Sequence, residues 1–299
     1  MIYSATEAVA HSVAPSTTIF CPVTYRPAGE PEEGHGPGSC QFAAIYCSGS
    51  LPASHPEVTA LMPTLQVLLK KEDLLPAHLE NRVVIVLDIL FATSTMCTAF
   101  SEGVTGIWPA LDTNDANGVA AGIGDCIKSG EYLAEHLPGF SPAMPLLLSR
   151  EPLRGRKLVY CTTNGTVALR ASVGAQHVYV GCLVNGAALV SHVRKTHRQA
   201  SVMIVCSGSI GMFNLEDFYG AGHFVEHFEA HGNYELNDAA RGARLLRRAY
   251  DPKTVLTGSR VGLMMQDKGL TNEVEFCAQF DTLDVVARLE QGVLRRVDS

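Results

Sequence analysis

A chain of 299 residues, 46% hydrophobic and 18% charged, can bury one large core or two modest ones. Its formal net charge of −7 excludes the basic face by which most proteins grip nucleic acid. Its apolar runs, such as Val83–Leu90, fall short of the roughly 20 residues a membrane span takes.

The opening MIYSATEAVAHSV lacks the basic and apolar regions of a secretory signal. Nine cysteines occur without a Cys-x-x-Cys pair, and Cys161, Cys206 and Cys277 sit in apolar strand-like runs. They read as reduced thiols rather than disulfides or zinc ligands. A cytoplasmic protein acting on a small molecule is expected, with no nucleic-acid or membrane partner; a homo-oligomer remains open.

In chain order, residues 1–57 read as an extension or flap. The Gly-, Pro- and Glu-rich segment 26–39 favours a loop, flanked by β-like runs at Thr17–Val23 and Gln41–Tyr46. The positive charge within Leu65–Lys71, and again within Arg241–Arg248, reads as solvated helix faces. From Arg82 the pattern becomes regular: VVIVLDIL is a β-type run before the helix-compatible STMCTAFSEG. KLVYCTT precedes TNGTVALRAS, HVYVGCLV precedes AALVSHVRK, and SVMIVCSGS precedes NLEDFYGAGHFVEHFEAHG. Unbroken apolar strands alternating with amphipathic helices predict a layered α/β/α fold with a mostly parallel sheet.

Such sheets bind ligands at the carboxyl ends of their strands. One loop there holds Asp88, Thr93, Ser94 and Thr95; a second holds Thr162, Thr163, Asn164, Gly165 and Thr166. A third holds Ser207, Gly208, Ser209, Gly211, Asn214, Glu216 and Asp217, and EFCAQFDTLD adds Glu275 and Asp281. Helix capping is the alternative reading for Ser94, Thr166, Asn214 and Asp281, with Asn214 and Asp217 spaced as a capping box. Asp88 stands apart: a carboxylate in an apolar strand costs several kcal/mol unless it meets a metal, a cation or hydrogen bonds.

At these residues the sequence resembles the 2-phosphosulfolactate phosphatases, magnesium-dependent enzymes that remove phosphate from 2-phospho-3-sulfolactate. DILFATST, TTNGT, the Gly211–Asp217 motif and EFCAQ with Asp281 carry the resemblance, in one order between Arg82 and Arg288. It implies two lobes with the site between them, taken here as 58–150 and 151–299. It also implies catalytic roles for Asp88, Glu131 and Asn164, and a Mg²⁺ ion held by Asp88, Glu216 and Asp217. Asp88 could equally be the attacking group. The implied substrate-binding set is Phe91, Thr93, Ser94, Tyr132, Thr163, Gly165, Thr166, Ser207, Gly208 and Met212.

Three positions depart from the family's pattern. Phe91, Tyr132 and Met212 stand where arginine is usual. Each charge-assisted contact is worth about 1.5–3 kcal/mol. Loss of three arginines predicts a more apolar pocket and a small phosphorylated substrate other than phosphosulfolactate. The alternative is that Arg260, Arg154 or Arg156 supplies the missing charge. Two further readings are a non-hydrolytic isomerase, cyclase or lyase on a less anionic substrate, and an inactive binding protein. His223, His227 and His231, spaced i, i+4, i+8, read as a solvated helix face rather than a metal site. CSGSIG, Cys206 to Gly211, lacks both phosphate-loop spacings and argues against a nucleotide.

Overall fold

The computed structural model describes residues 62–297. The expected extension of residues 1–57, with its β-like runs, lies outside the described residues.

The chain runs β1 (Thr64–Leu68), β2 (Arg82–Leu87), α1 (Ala92–Ser101), β3 (Gly106–Ala110), α2 (Thr113–Ile123), β4 (Ile127–Tyr132) and β5 (Glu135–His136). It continues through α3 (Pro145–Leu148), β6 (Lys157–Cys161), α4 (Gly165–Ala171), β7 (His177–Gly181), α5 (Gly186–Thr196), β8 (Ser201–Cys206) and α6 (Leu215–Glu229). The last elements are β9 (Glu235–Leu236), α7 (Asp238–Ala249), α8 (Pro252–Gly258), α9 (Arg260–Asp267), α10 (Thr271–Cys277), β10 (Val286–Glu290) and β11 (Val293–Val297).

The eleven strands of the described residues join one sheet in the order β5-β4-β6-β3-β11-β10-β7-β2-β8-β1-β9. Strands β7, β2, β8, β1 and β9 form one parallel stretch, and β3, β6 and β4 a second. The antiparallel hairpin of β10 and β11 bridges them. The fold is thus the expected layered α/β type with a mostly parallel sheet. Val83 through Leu87 on β2 are fully buried, which is why that strand reads as an unbroken apolar run.

The register sets the level of the site. Leu87 pairs with Gly181 and with Cys206, so Asp88 and Ser207 emerge side by side. On the second stretch Gly130 pairs with Cys161, which sets Glu131 beside Thr162.

Leu65–Lys71 is not a helix face. Leu65 and Val67 are buried at period-two spacing, and Thr64–Leu68 pairs with β8; the charge belongs to the turn that follows. The Arg241–Arg248 stretch does lie on a helix, α7, where Arg244 pairs with Glu229 and Arg248 with Glu226. Cys97, Cys126, Cys161, Cys182, Cys206 and Cys277 are free thiols, as the spacing predicts. Among the described residues no helix is long and apolar enough to cross a membrane.

Candidate active site

The loops after β2, β4, β6 and β8 meet around a cavity of about 180 Å³. Asp88 lines it, directly after β2, with 8% of its surface exposed. Its Oδ1 accepts a 3.3 Å hydrogen bond from the Ala92 amide. Thr93 locks the turn from below: its hydroxyl accepts from the Asp88 amide at 3.0 Å and donates to the Asp88 carbonyl at 2.9 Å. Ser94 donates to the Ile89 carbonyl at 2.8 Å. Both hydroxyls are fully buried, so they build the loop that aims Asp88.

Gly165 is required by close approach. A Cβ there would lie 2.4 Å from Ala92 Cβ and 2.7 Å from Asp88 Oδ2. Thr166 holds its own loop, donating to the Thr162 carbonyl at 2.9 Å and accepting from the Thr162 amide at 3.1 Å. Glu131 on β4 lines the cavity and ties the loop after β6 to the sheet. It accepts from the Thr163 amide at 2.7 Å, the Thr163 hydroxyl at 3.1 Å and the Ala134 amide at 2.7 Å. Asn164 Oδ1 accepts from Lys71 Nζ at 2.9 Å, and the same ammonium donates to the Ser207 carbonyl at 3.2 Å.

Besides Asp88 and Glu131, two further acids share this region. Asp217 is fully occupied by backbone: Oδ1 accepts from the Ile89 amide at 2.9 Å and Oδ2 from the Gly208 amide at 3.1 Å. It pins two active-site loops together rather than capping its own helix as a box partner of Asn214. The Asn214 side chain makes no cap either, because its Oδ1 accepts from Arg260 at 3.1 Å. Glu216 is buried, and its Oε1 has no hydrogen-bond partner among the described residues; neither has the Ser207 hydroxyl.

Burial pushes the Asp88 carboxyl up to about 7, helped by the charges of Glu131 and Glu216 and opposed by the Ala92 amide and Lys71. Burial likewise raises Glu216, against Ser259 and Arg260. Burial, then the charges of Asp88 and Glu216, raises Asp217. Buried carboxylates that disfavour one another's charge, one with a bare oxygen, suit a divalent cation. Asp88 lines the cavity and Glu216 keeps a bare oxygen, whereas Asp217 has both oxygens engaged. Among the described residues these three do not bring donor atoms within 4.8 Å of one another, as His223, His227 and Asp281 do.

The substituted arginine positions do not behave alike. Phe91 is buried and lines the cavity. Tyr132 and Met212 are 63% and 49% exposed and lie outside its lining. The expectation of a cleft stripped of guanidinium therefore needs correction. Arg260, at the start of α9, lines the cavity, while Arg156 pairs with Asp125 at 2.8 Å away from it. Lys71, hidden in a stretch taken for a surface helix, adds a second cation behind Asn164. The wall is mixed: Leu90, Leu133, Met144, Ile210, Met264 and Met265 stand beside Glu131, Thr162, Thr163, Asn164, Ser209 and Asn214. The EFCAQFDTLD stretch does not reach this cleft: Glu275 pairs with Lys253, and Asp281 turns to His223 and His227.

A polar cleft at the strand ends of a layered sheet defines an α/β enzyme for a small molecule. The family model described as 2-phosphosulpholactate phosphatase matches residues 68–292. A probable 2-phosphosulfolactate phosphatase of Carboxydothermus hydrogenoformans is 33% identical over 221 residues, 72% of this chain and 90% of the relative. A protein of the same description from Deinococcus radiodurans is 34% identical over 223 residues, 74% of this chain and 92% of the relative. One from Symbiobacterium thermophilum is 34% identical over 221 residues, 72% of this chain and 94% of the relative. The chain belongs to the 2-phosphosulfolactate phosphatase family, a family of hydrolases. These relatives favour neither a non-hydrolytic enzyme nor an inactive binding protein.

Proposed function

We propose that this protein is a Mg²⁺-dependent phosphatase whose substrate is a small phosphomonoester with an apolar body and at most one further anionic group. The observation that carries the reading is the cavity itself: Asp88 and Arg260 in its lining, Lys71 bonded behind Asn164, and Phe91 with three methionines among its wall residues. Phosphosulfolactate bears phosphate, sulfonate and carboxylate. Lys71 and Arg260 can pair with two of those groups, and the third would face Phe91 and the methionines. Leaving one anion desolvated and unpaired costs about 1–3 kcal/mol or more, roughly tenfold to a hundredfold in kcat/KM.

Each residue then has a task. Arg260, held by Asn214, and Lys71, held by Asn164 and the Ser207 carbonyl, bind and orient the anionic ends of the substrate. Asp88 and Glu216 would hold Mg²⁺, which when bound neutralises phosphoryl charge. Asp217 and Glu131 fix the loops on which Asp88, Asn164 and Thr163 ride. Phe91, Leu90 and the methionines of the wall limit the access of bulk water to the phosphoryl group.

Phosphate release from a panel of phosphomonoesters, with calorimetry of Mg²⁺ binding, tests this. Mg²⁺ binding with preferred turnover of mono- and dianionic esters is expected. Metal-independent turnover of an unphosphorylated compound, or no phosphate release from any ester, would overturn it.

A further inference from the structure

Away from the cleft, we propose that His223, His227 and Asp281 form a transition-metal site that fastens α6 to the segment following α10. His223 Nε2 lies 3.1 Å from Asp281 Oδ1, and His227 Nε2 lies 3.1 Å from Asp281 Oδ2. One donor atom from each of the three residues falls within 4.8 Å of the others. Around a tetrahedral ion with bonds of roughly 2.0–2.2 Å, donor atoms stand roughly 3.2–3.6 Å apart. Both histidine–carboxylate distances are close to that spacing, and all three donor atoms lie within 4.8 Å, near enough to converge on one ion.

The helix explains half of the arrangement. Residues i and i+4 of α6 share a face, so both imidazoles project toward the same carboxylate. The expectation of a solvated face fails at His223, which is only 4% exposed. Its ring is stacked on Phe280, with centroids 4.6 Å apart. Gly186 makes room: a Cβ there would lie 2.5 Å from His223 Nε2. The Ala187 amide donates to Asp281 Oδ1 at 2.7 Å and orients the carboxylate, as supporting hydrogen bonds do at metal centres.

Two imidazole nitrogens with one carboxylate suit Zn²⁺ and its first-row neighbours and are a poor set for Mg²⁺. Beyond His227 an open pocket, shared with Ser191, Arg194 and His231, leaves room for a solvent ligand. The nearby Arg247 stacks 4.2 Å over Phe280 and faces Glu226, and, beyond burial, its charge helps keep His223 neutral, the form that binds a metal. Since Glu216 lies two turns upstream on the same helix, an ion here would also steady the end of α6 that reaches the cleft.

The full-length protein, stripped with chelator, would be titrated with Zn²⁺ by calorimetry and with Co²⁺ by visible absorption. Saturable Zn²⁺ binding, Co²⁺ d–d bands and a higher melting temperature are expected. His227→Gln and Asp281→Asn should each weaken Zn²⁺ binding more than about 100-fold, since even supporting residues of metal sites are worth 10–100-fold. Asp88→Asn should leave this binding intact. No saturable binding would show a plain His–Asp–His hydrogen bridge and overturn the proposal. So would binding that survives both variants, or that is lost in Asp88→Asn. If Asp281→Asn fails to fold, His227→Gln carries the test alone, because that side chain is 25% exposed.

Discussion

Gly165→Ala probes the closest contact in the cleft. The added methyl would lie 2.4 Å from Ala92 Cβ and 2.7 Å from Asp88 Oδ2. Carbon atoms normally rest roughly 3.5–4.0 Å apart, so the loops after β2 and β6 must separate by about 1 Å. Both are buried and hydrogen-bonded, and overpacking such a site costs about 1–3 kcal/mol. For a domain of this size that lowers the melting temperature by roughly 2–12 °C. The same displacement moves Asp88 relative to Lys71 and Arg260, and misplacement on that scale costs on the order of 100-fold in rate. Thermal melts with phosphate-release kinetics on the best ester of the panel measure both. A folded variant with wild-type kcat would show that the packing of Gly165 against Asp88 does not position the reacting group.

Further outcomes follow from the same geometry. Lys71→Met and Arg260→Met should each reduce kcat/KM for phosphomonoesters by roughly 10–100-fold, the worth of one charge-assisted contact, with melting temperature as the control for folding. Phe91→Arg should raise kcat/KM for phosphosulfolactate, while Tyr132→Arg and Met212→Arg should leave it unchanged, because only Phe91 faces the cavity. Chelation with EDTA should abolish phosphate release, and Mg²⁺ should restore it; turnover that persists in EDTA contradicts the metal assignment. His197 is pushed down to about 4 by burial, then by the charges of His177, His192 and Arg288. Its folded value thus lies below the ordinary unfolded one near 6.5, and the unfolded chain binds the extra proton. Its contribution is complete above about pH 6.5 and is lost as pH falls toward 4. Melts at pH 7.5 and 5.0 should differ less in His197→Asn than in the parent, and an equal difference would refute the assignment.

The strand–helix alternation was legible because β2, β6, β7 and β8 are covered on both faces and so read as unbroken apolar runs. The elements that escaped reading have no such signature. β1 alternates buried and half-buried residues over only five positions, and its trailing lysines disguised it as a helix face. β10 and β11 enter the sheet antiparallel between two parallel stretches, a placement that no local pattern encodes. In the site, Asp88 stood out as a charge in an apolar strand, and the glycine and hydroxyl residues marked the loops. What spacing could not convey was direction. Thr93, Ser94 and Asp217 turn inward to bond backbone, and Tyr132 turns to solvent. Asp281 departs for another site, where it meets two histidines that looked like surface residues. The cations came from far along the chain, and only the fold brings Arg260, after α8, to the cavity and Lys71, before β2, to its wall residue Asn164.

The ratio of kcat/KM values for a dianionic phosphomonoester with an apolar body and for phosphosulfolactate, both measured with Mg²⁺, bears most directly on the assignment of this cleft. A ratio well above one, with both activities lost in Asp88→Asn, is the predicted result. Efficient phosphosulfolactate turnover that exceeds the simpler ester, or turnover indifferent to Asp88→Asn, would contradict it.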